Sequence, residues 1–111
     1  MDQCQEIYKK LQTLEIPVAY FKFDKPQKLP FCVYYENGTE ISGADGKNLV
    51  RRTWYMIELY TEKKLPQLER QIENLFSDVE IEKTEDIYIE SERMFKISFE
   101  FMYIEKIKED Y

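Results

Sequence analysis

Two glutamates, Glu58 and Glu100, are the residues whose type and placement best fit catalysis. Each lies in a segment that alternates apolar and polar residues like a β-strand, and the alternation places both on one sheet face. Paired carboxylates on one surface could act as acid and base in glycoside hydrolysis. The alternative, two structural carboxylates paired with Arg52 or Lys96, is favoured because 111 residues leave little room for a substrate pocket.

Other residues with catalytic potential lack the partners that they would need. Histidine is absent, which removes the commonest general base and the commonest metal ligand. Cys32 lies between two apolar residues and has no histidine to activate its thiol, so we expect a small buried side chain. Cys4 is distant in sequence, and both thiols are expected to be free. We therefore predict no catalytic residue, no cofactor and no metal, and no enzymatic activity.

The segment 42–47 (SGADGK) has faint features of a phosphate-binding or calcium-binding loop. A phosphate loop needs glycines five positions apart and a Ser or Thr after the lysine, but here they are three apart and Asn48 follows Lys47. A calcium loop needs several acidic ligands, and only Asp45 qualifies. The segment is expected to be a flexible turn.

A basic and aromatic cluster, Arg51 and Arg52 followed by Trp54 and Tyr55, could form a platform for single-stranded nucleic acid. The net charge of −6 argues against that function, because an acidic surface repels phosphates. We expect an ordinary strand start here, with DNA at most passing near the protein.

The elements that must position these residues follow from hydrophobic periodicity. They combine into one α+β domain over residues 1–111, with two helices packed on one face of a mainly antiparallel sheet and a frayed tail at 106–111. The order is α-β-β-β-α-β-β. In chain order we predict a helix over 2–14, strands over 18–23, 31–36 and 51–61, a helix opened by Pro66, and strands over 79–88 and 91–106.

The connections between these elements have their own signals. Two prolines make 25–30 a linker outside the sheet interior. Asn37-Gly38 is a turn signal. Residues 39–50 contain two of the three glycines, which predicts a long hairpin loop or a floppy extension of one.

In the predicted strands 51–61 and 91–106, one face is expected to form the core. The opposite face has too many apolar residues to be simply exposed to solvent. Tyr, Trp and Met mixed with charge on a surface are typical of a protein interface. No run of about 18 apolar residues exists, so no membrane-spanning helix is expected. The predicted interface residues are Trp54, Met56, Tyr60, Met94 and Met102, with Asp45 and Lys47 in the loop.

Several segments, taken together, are distinctive. They are 30–35 (PFCVYY), Ala44-Asp45, 57–64 (IELYTEKK), 65–73 (LPQLERQIE) and 88–101 (YIESERMFKISFEF). In these segments the chain resembles the small tail-completion proteins, also called tail terminators or tail-to-head joining proteins, of long-tailed phages and prophages of Gram-positive bacteria. The resemblance extends from about Gln5 to Tyr103.

This resemblance implies two helices against an antiparallel sheet and no enzyme active site. It also implies a ring, usually hexameric, that caps the tail tube and docks it to the head connector. The location would be the virion tail or neck, after assembly in the bacterial host cytoplasm. Residues 39–50 would reach toward the tube or its lumen. Neck and head-completion proteins share this size, so the station along the neck stays open.

Two other functions remain open from the residues alone. One is a small adaptor module that binds a host or phage protein by strand addition, which requires an open sheet edge. The other is an enzyme that uses Glu58 and Glu100, which requires a concave pocket around both carboxylates.

Overall fold

Seven elements form in the predicted order, which confirms the α+β prediction. The computed structural model describes residues 2–43 and 49–107. Its five strands form one sheet in the order β1-β2-β3-β5-β4, in which β1 runs parallel to β2 and the other neighbours are antiparallel. The elements are α1 (Gln3–Gln12), β1 (Val18–Tyr20), β2 (Phe31–Ser42), β3 (Leu49–Thr61), α2 (Pro66–Leu75), β4 (Glu82–Ile89) and β5 (Met94–Ile107).

The start of each helix deals with backbone N–H groups that have no partner within the helix. In α1 a capping side chain accepts from them, and in α2 a proline removes one of them. The Asp2 carboxylate accepts from the Gln5 backbone N–H at 2.8 Å, and the Gln5 side chain accepts from the Asp2 N–H at 3.3 Å. Pro66 occupies the first turn of α2, where a missing N–H costs nothing. Among the described residues, no helix is long and apolar enough to cross a membrane.

The core lies between the two helices and one face of the sheet. That face presents alternate residues of β2, β3 and β5, as the two-residue period requires. Phe76, just after α2, stacks on Phe101 with ring centroids 4.5 Å apart. The fully buried core side chains are Ile7, Leu11, Cys32, Ile57, Leu59, Ile72, Phe76, Ile97 and Phe99.

The predicted turn at Asn37-Gly38 is wrong, because β2 continues through it. Glu36 lies opposite Tyr55 and Gly38 opposite Trp54, so Asn37 is an extra residue in a β-bulge. Gly38 has a φ of 149°, which glycine tolerates. Asn and Gly, which favour a turn, therefore form a bulge here because the partner strand β3 continues without a break alongside them.

Beyond the bulge, three strands extend as an arm formed by residues 36–42, 49–55 and 101–107. Half of the predicted loop 39–50 is therefore strand, since β2 reaches Ser42 and β3 starts at Leu49, and residues 44–48 lie outside the described residues. The predicted frayed tail 106–111 is wrong for Lys106 and Ile107, which pair with β3, and its other residues lie outside the described part of the chain. The arm makes the molecule 53 × 25 × 24 Å with a radius of gyration of 16.0 Å, against about 13 Å for a compact chain of this length.

A buried carboxylate ties α2 to the sheet. The Glu69 side chain is 4% exposed, with Oε1 accepting from Lys83 Nζ at 2.6 Å and Oε2 lying 2.8 Å from Lys64 Nζ. Burial alone would raise the pKa of Glu69, but the hydrogen bonds and charges of the two lysines outweigh burial and lower that pKa below its ordinary value of 4.5. The ionised carboxylate therefore contributes to folding stability.

Replacing this carboxylate should make stability less dependent on pH. Because the folded pKa of Glu69 lies below the unfolded one, its stabilisation is complete above about pH 5 and is lost as pH falls through the folded value. We expect Glu69→Gln to lower the free energy of unfolding by about 1–3 kcal/mol at pH 7. Urea denaturation at pH 7 and pH 3 measures this, with exposed Glu62→Gln as control. An equal loss at both pH values would contradict the assignment.

Candidate functional site

The candidate site is the sheet face opposite the helices, here called the second face. It consists of the alternate residues of β3 and β5 that do not enter the core. In register, Trp54 lies opposite Met102, Met56 opposite Glu100, and Tyr60 opposite Lys96. All six side chains are half-buried, so the face is neither solvated nor sealed. Glu58 and Glu100 share it, as predicted.

Glu58 is the centre of a polar network on this face. Its Oε2 accepts from Tyr35 Oη and its Oε1 from Tyr60 Oη, both at 2.9 Å. Lys96 Nζ lies 3.5 Å from Glu58 and 3.1 Å from Glu85. The predicted pairing with Lys96 is thus present, whereas Arg52 pairs with Glu40 at 3.5 Å.

The protonation states in this network favour a fixed structure over proton transfer. Burial, reinforced by the hydrogen bond to Glu58, raises the pKa of Tyr35 to about 12. Burial would lower the pKa of Lys96, but Glu85 and Glu58 raise it above its ordinary value. Both groups therefore stay protonated at neutral pH. Because both Glu58 oxygens already accept hydrogen bonds, this carboxylate is poorly placed to act as a base toward a substrate.

The segment 21–30, called the linker, lies over the part of the second face near Glu58. Phe21 meets the Tyr35 ring edge-on at 5.7 Å, and Phe23 meets Phe31 at 5.4 Å. Phe31 in turn stacks on Tyr60 at 5.1 Å, so Tyr60 is partly covered within its own chain. The predicted strand 18–23 is wrong beyond Tyr20, where β1 ends, and Phe21 and Phe23 pack over the second face instead. Residues 25–30 lie outside the strands, as predicted. The alternation of Phe21 and Phe23 was the signal for this packing.

At the arm end of the second face, Trp54 and Met102 border a groove, here called the acidic groove. Its volume is about 730 Å³. Val79, Ile81 and Ile104 add apolar surface, and the Ile104 side chain is 58% exposed. The other lining residues are Phe101 and three glutamates, Glu80, Glu82 and Glu100. Neither Ile104 nor the segment 79–82 is among the predicted interface residues.

The structure separates the predicted interface residues into groups. Trp54, Met56 and Met102 lie together, whereas Met94 lies opposite Ile89 at the far end of the sheet. The polar network around Glu58 lies between them. Asp45 and Lys47 lie outside the described residues.

The arm has open edges on both sides. β1 pairs with β2 only as far as Tyr34, and β4 pairs with β5 only as far as Glu100. Among residues 2–43 and 49–107, no strand pairs with β2 or β5 on their outer sides beyond these points. Unpaired strand edges are templates for pairing with another chain.

The basic and aromatic cluster at the start of β3 is not a single platform. Arg52 and Trp54 lie on the second face, whereas Arg51 and Tyr55 point to the opposite face, because neighbouring strand residues alternate. Arg51 lies 3.5 Å from Glu105. These ion pairs leave less positive surface for a nucleic-acid backbone.

Thiol and metal chemistry have little support in the described part of the chain. Cys32 is fully buried, and burial raises the pKa of its thiol to about 12, so it is neutral at pH 7. Cys4 and Cys32 are both free, as expected. No group of three or more His, Cys, Asp or Glu side chains within this part is placed to hold a metal ion.

The fold has counterparts among solved structures. One is a chain in the virion of a native gene transfer agent particle, with a TM-score of 0.59 and 12% sequence identity. The match covers 91% of this chain and 92% of that chain. At this identity the likeness shows the fold alone. No family model matches the sequence, and no curated protein matches it.

The Glu58 network should matter for stability. Glu58→Gln removes the negative charge to which two tyrosine hydroxyls donate hydrogen bonds and beside which Lys96 lies. The free energy of unfolding should therefore fall by about 1–3 kcal/mol. Glu100→Gln is the matched control, because Glu100 accepts one hydrogen bond, from Asn37 at 3.0 Å. Guanidinium denaturation of both variants measures the difference. If the control loses as much stability as Glu58→Gln, the network is not the stabilising feature.

Proposed function

We propose that this chain is a structural protein of a phage or phage-like virion that acts in tail completion or head–tail joining. It forms a ring with copies of itself, hexameric in the favoured case, and docks to tail-tube and head-connector proteins. DNA at most passes through the channel. It acts by binding, because it presents surfaces that are complementary to copies of itself and to its partner proteins.

The observation that carries this proposal is the fold similarity to a chain of a gene transfer agent virion. Both chains are covered almost completely, so the similarity concerns the whole domain. The sequence resemblance to tail-completion proteins points to the same class of particle independently.

Self-association is supported by the shape of the arm and the composition of the second face. A ring requires two different surfaces on each subunit that complement each other. The arm has open edges on opposite sides of one sheet, at β2 and at β5. Trp54 and Met102 supply an apolar area beside the β5 edge, and burying such area drives association.

The open edges also favour a second candidate, an adaptor that binds a host or phage protein by strand addition. An adaptor and a ring subunit differ in a simple property. The adaptor stays monomeric at all concentrations, whereas the ring subunit forms a discrete oligomer.

Deleting the coding sequence from a particle-producing genome tests the virion function. Heads filled with DNA and separate tails should accumulate, because the surface that joins them is missing, and electron microscopy counts both. Expression of the chain from a plasmid should restore joined particles. Normal numbers of joined particles without the chain would contradict the proposal.

Truncating the apolar area should weaken self-association more than folding. Trp54→Ala and Met56→Asp should each raise the dissociation constant of the oligomer about tenfold or more. The first removes an aromatic anchor from the contact, and the second places an unpaired charge in it. Light scattering across a concentration series measures this, with denaturation as the folding readout. Leu65→Ala, which trims a 38% exposed apolar residue beside α2, is the matched control. Variants that associate like the native chain would remove the second face from the interface.

A further inference from the structure

The linker 21–30 is basic and has an exposed aromatic residue. It contains three lysines, Lys22, Lys25 and Lys28, against one aspartate, in a chain that is acidic overall. Phe21 is 60% exposed and has a φ of 66°, which is uncommon for a bulky residue. An exposed Phe among lysines fits a partner surface that is both apolar and acidic.

The acidic groove has those two properties. Trp54, Met102 and Ile104 supply its apolar wall, and Glu80, Glu82 and Glu100 supply its charge. None of its described lining residues is basic. The groove and the linker are therefore complementary in charge and similar in apolar character.

Their positions in the sheet make them complementary between copies. Tyr35, which Phe21 contacts, lies opposite Met56, and Met56 lies opposite Glu100. Phe21 therefore lies on the same face as the acidic groove and level, along the strands, with the Glu100 end of the groove. The linker lies at the β1–β2 side of the sheet and the groove at the β5–β4 side. Two copies set side by side thus bring the linker of one to the groove of the other.

We propose that the linker of one copy docks in the acidic groove of the next copy. Phe21 packs against Trp54 and Met102, while Lys22 and Lys25 pair with Glu80 and Glu82. The contact joins two different surfaces of identical chains, so it repeats around a closed ring. This inference rests on the proposed function, because it identifies the surfaces through which the ring forms.

Charge exchange between the two surfaces tests the contact. Lys22→Glu/Lys25→Glu and Glu80→Lys/Glu82→Lys should each weaken self-association of the full chain about tenfold or more. The four substitutions together should restore it, because the pairs re-form with reversed sign. The matched controls are Lys9→Glu/Lys63→Glu and Glu90→Lys/Glu92→Lys, which change net charge equally at exposed sites elsewhere. Sedimentation velocity at fixed ionic strength gives the dissociation constants.

The outcomes separate this inference from the function on which it rests. Weakening by both reversals, restoration by their combination, and native behaviour of the controls support the contact. An oligomer that survives both reversals, or that the combination fails to restore, overturns the contact and leaves ring formation standing. A native chain that stays monomeric at every concentration overturns both.

Discussion

The pairing of β3 with β5 is the constraint on which the rest of the structure depends. β3 stays in register with β5 over the whole of its length, from Leu49 opposite Ile107 to Thr61 opposite Phe95. Because side chains alternate, one register fixes both faces at once, and a slip of one residue would exchange them. Tyr55, Ile57 and Leu59 can therefore enter the core only if Trp54, Met56 and Glu58 face the other way.

The second face then divides along the strands according to what covers it. Near Glu58, the linker packs over a polar network in which both carboxylate oxygens of Glu58 accept hydrogen bonds from tyrosine hydroxyls. Toward the arm, β4 and the linker have ended, and Trp54 and Met102 stay half-buried beside the open β5 edge. A single sheet face thus combines a polar network and an apolar region that stays half-exposed.

The lysines also fall into two groups, according to whether a carboxylate among the described residues of the same chain pairs with them. Lys64 and Lys83 are engaged by buried Glu69, and Lys96 by Glu58 and Glu85. The linker lysines lie instead at the opposite side of the sheet from the glutamates of the groove. In the proposed ring, such separation of opposite charges favours one relative orientation of neighbouring copies over others.

Local patterns in the sequence determined the elements, their order and the alternation that places Glu58, Glu100, Trp54 and Met102 on one face. These features depend on residues close in sequence, through helical and strand periods and through the placement of Asp2 and Pro66. The tertiary structure alone decided what depends on distant residues. Asn37-Gly38 forms a bulge because β3 runs alongside it. Met94 lies far from Trp54 because Met94 is at the start of β5, whereas Trp54 pairs with Met102 farther along that strand. The tertiary structure also folded Phe21 over Tyr35 and placed the glutamates of 80–82 beside Met102, since only chain-distant packing brings such surfaces together.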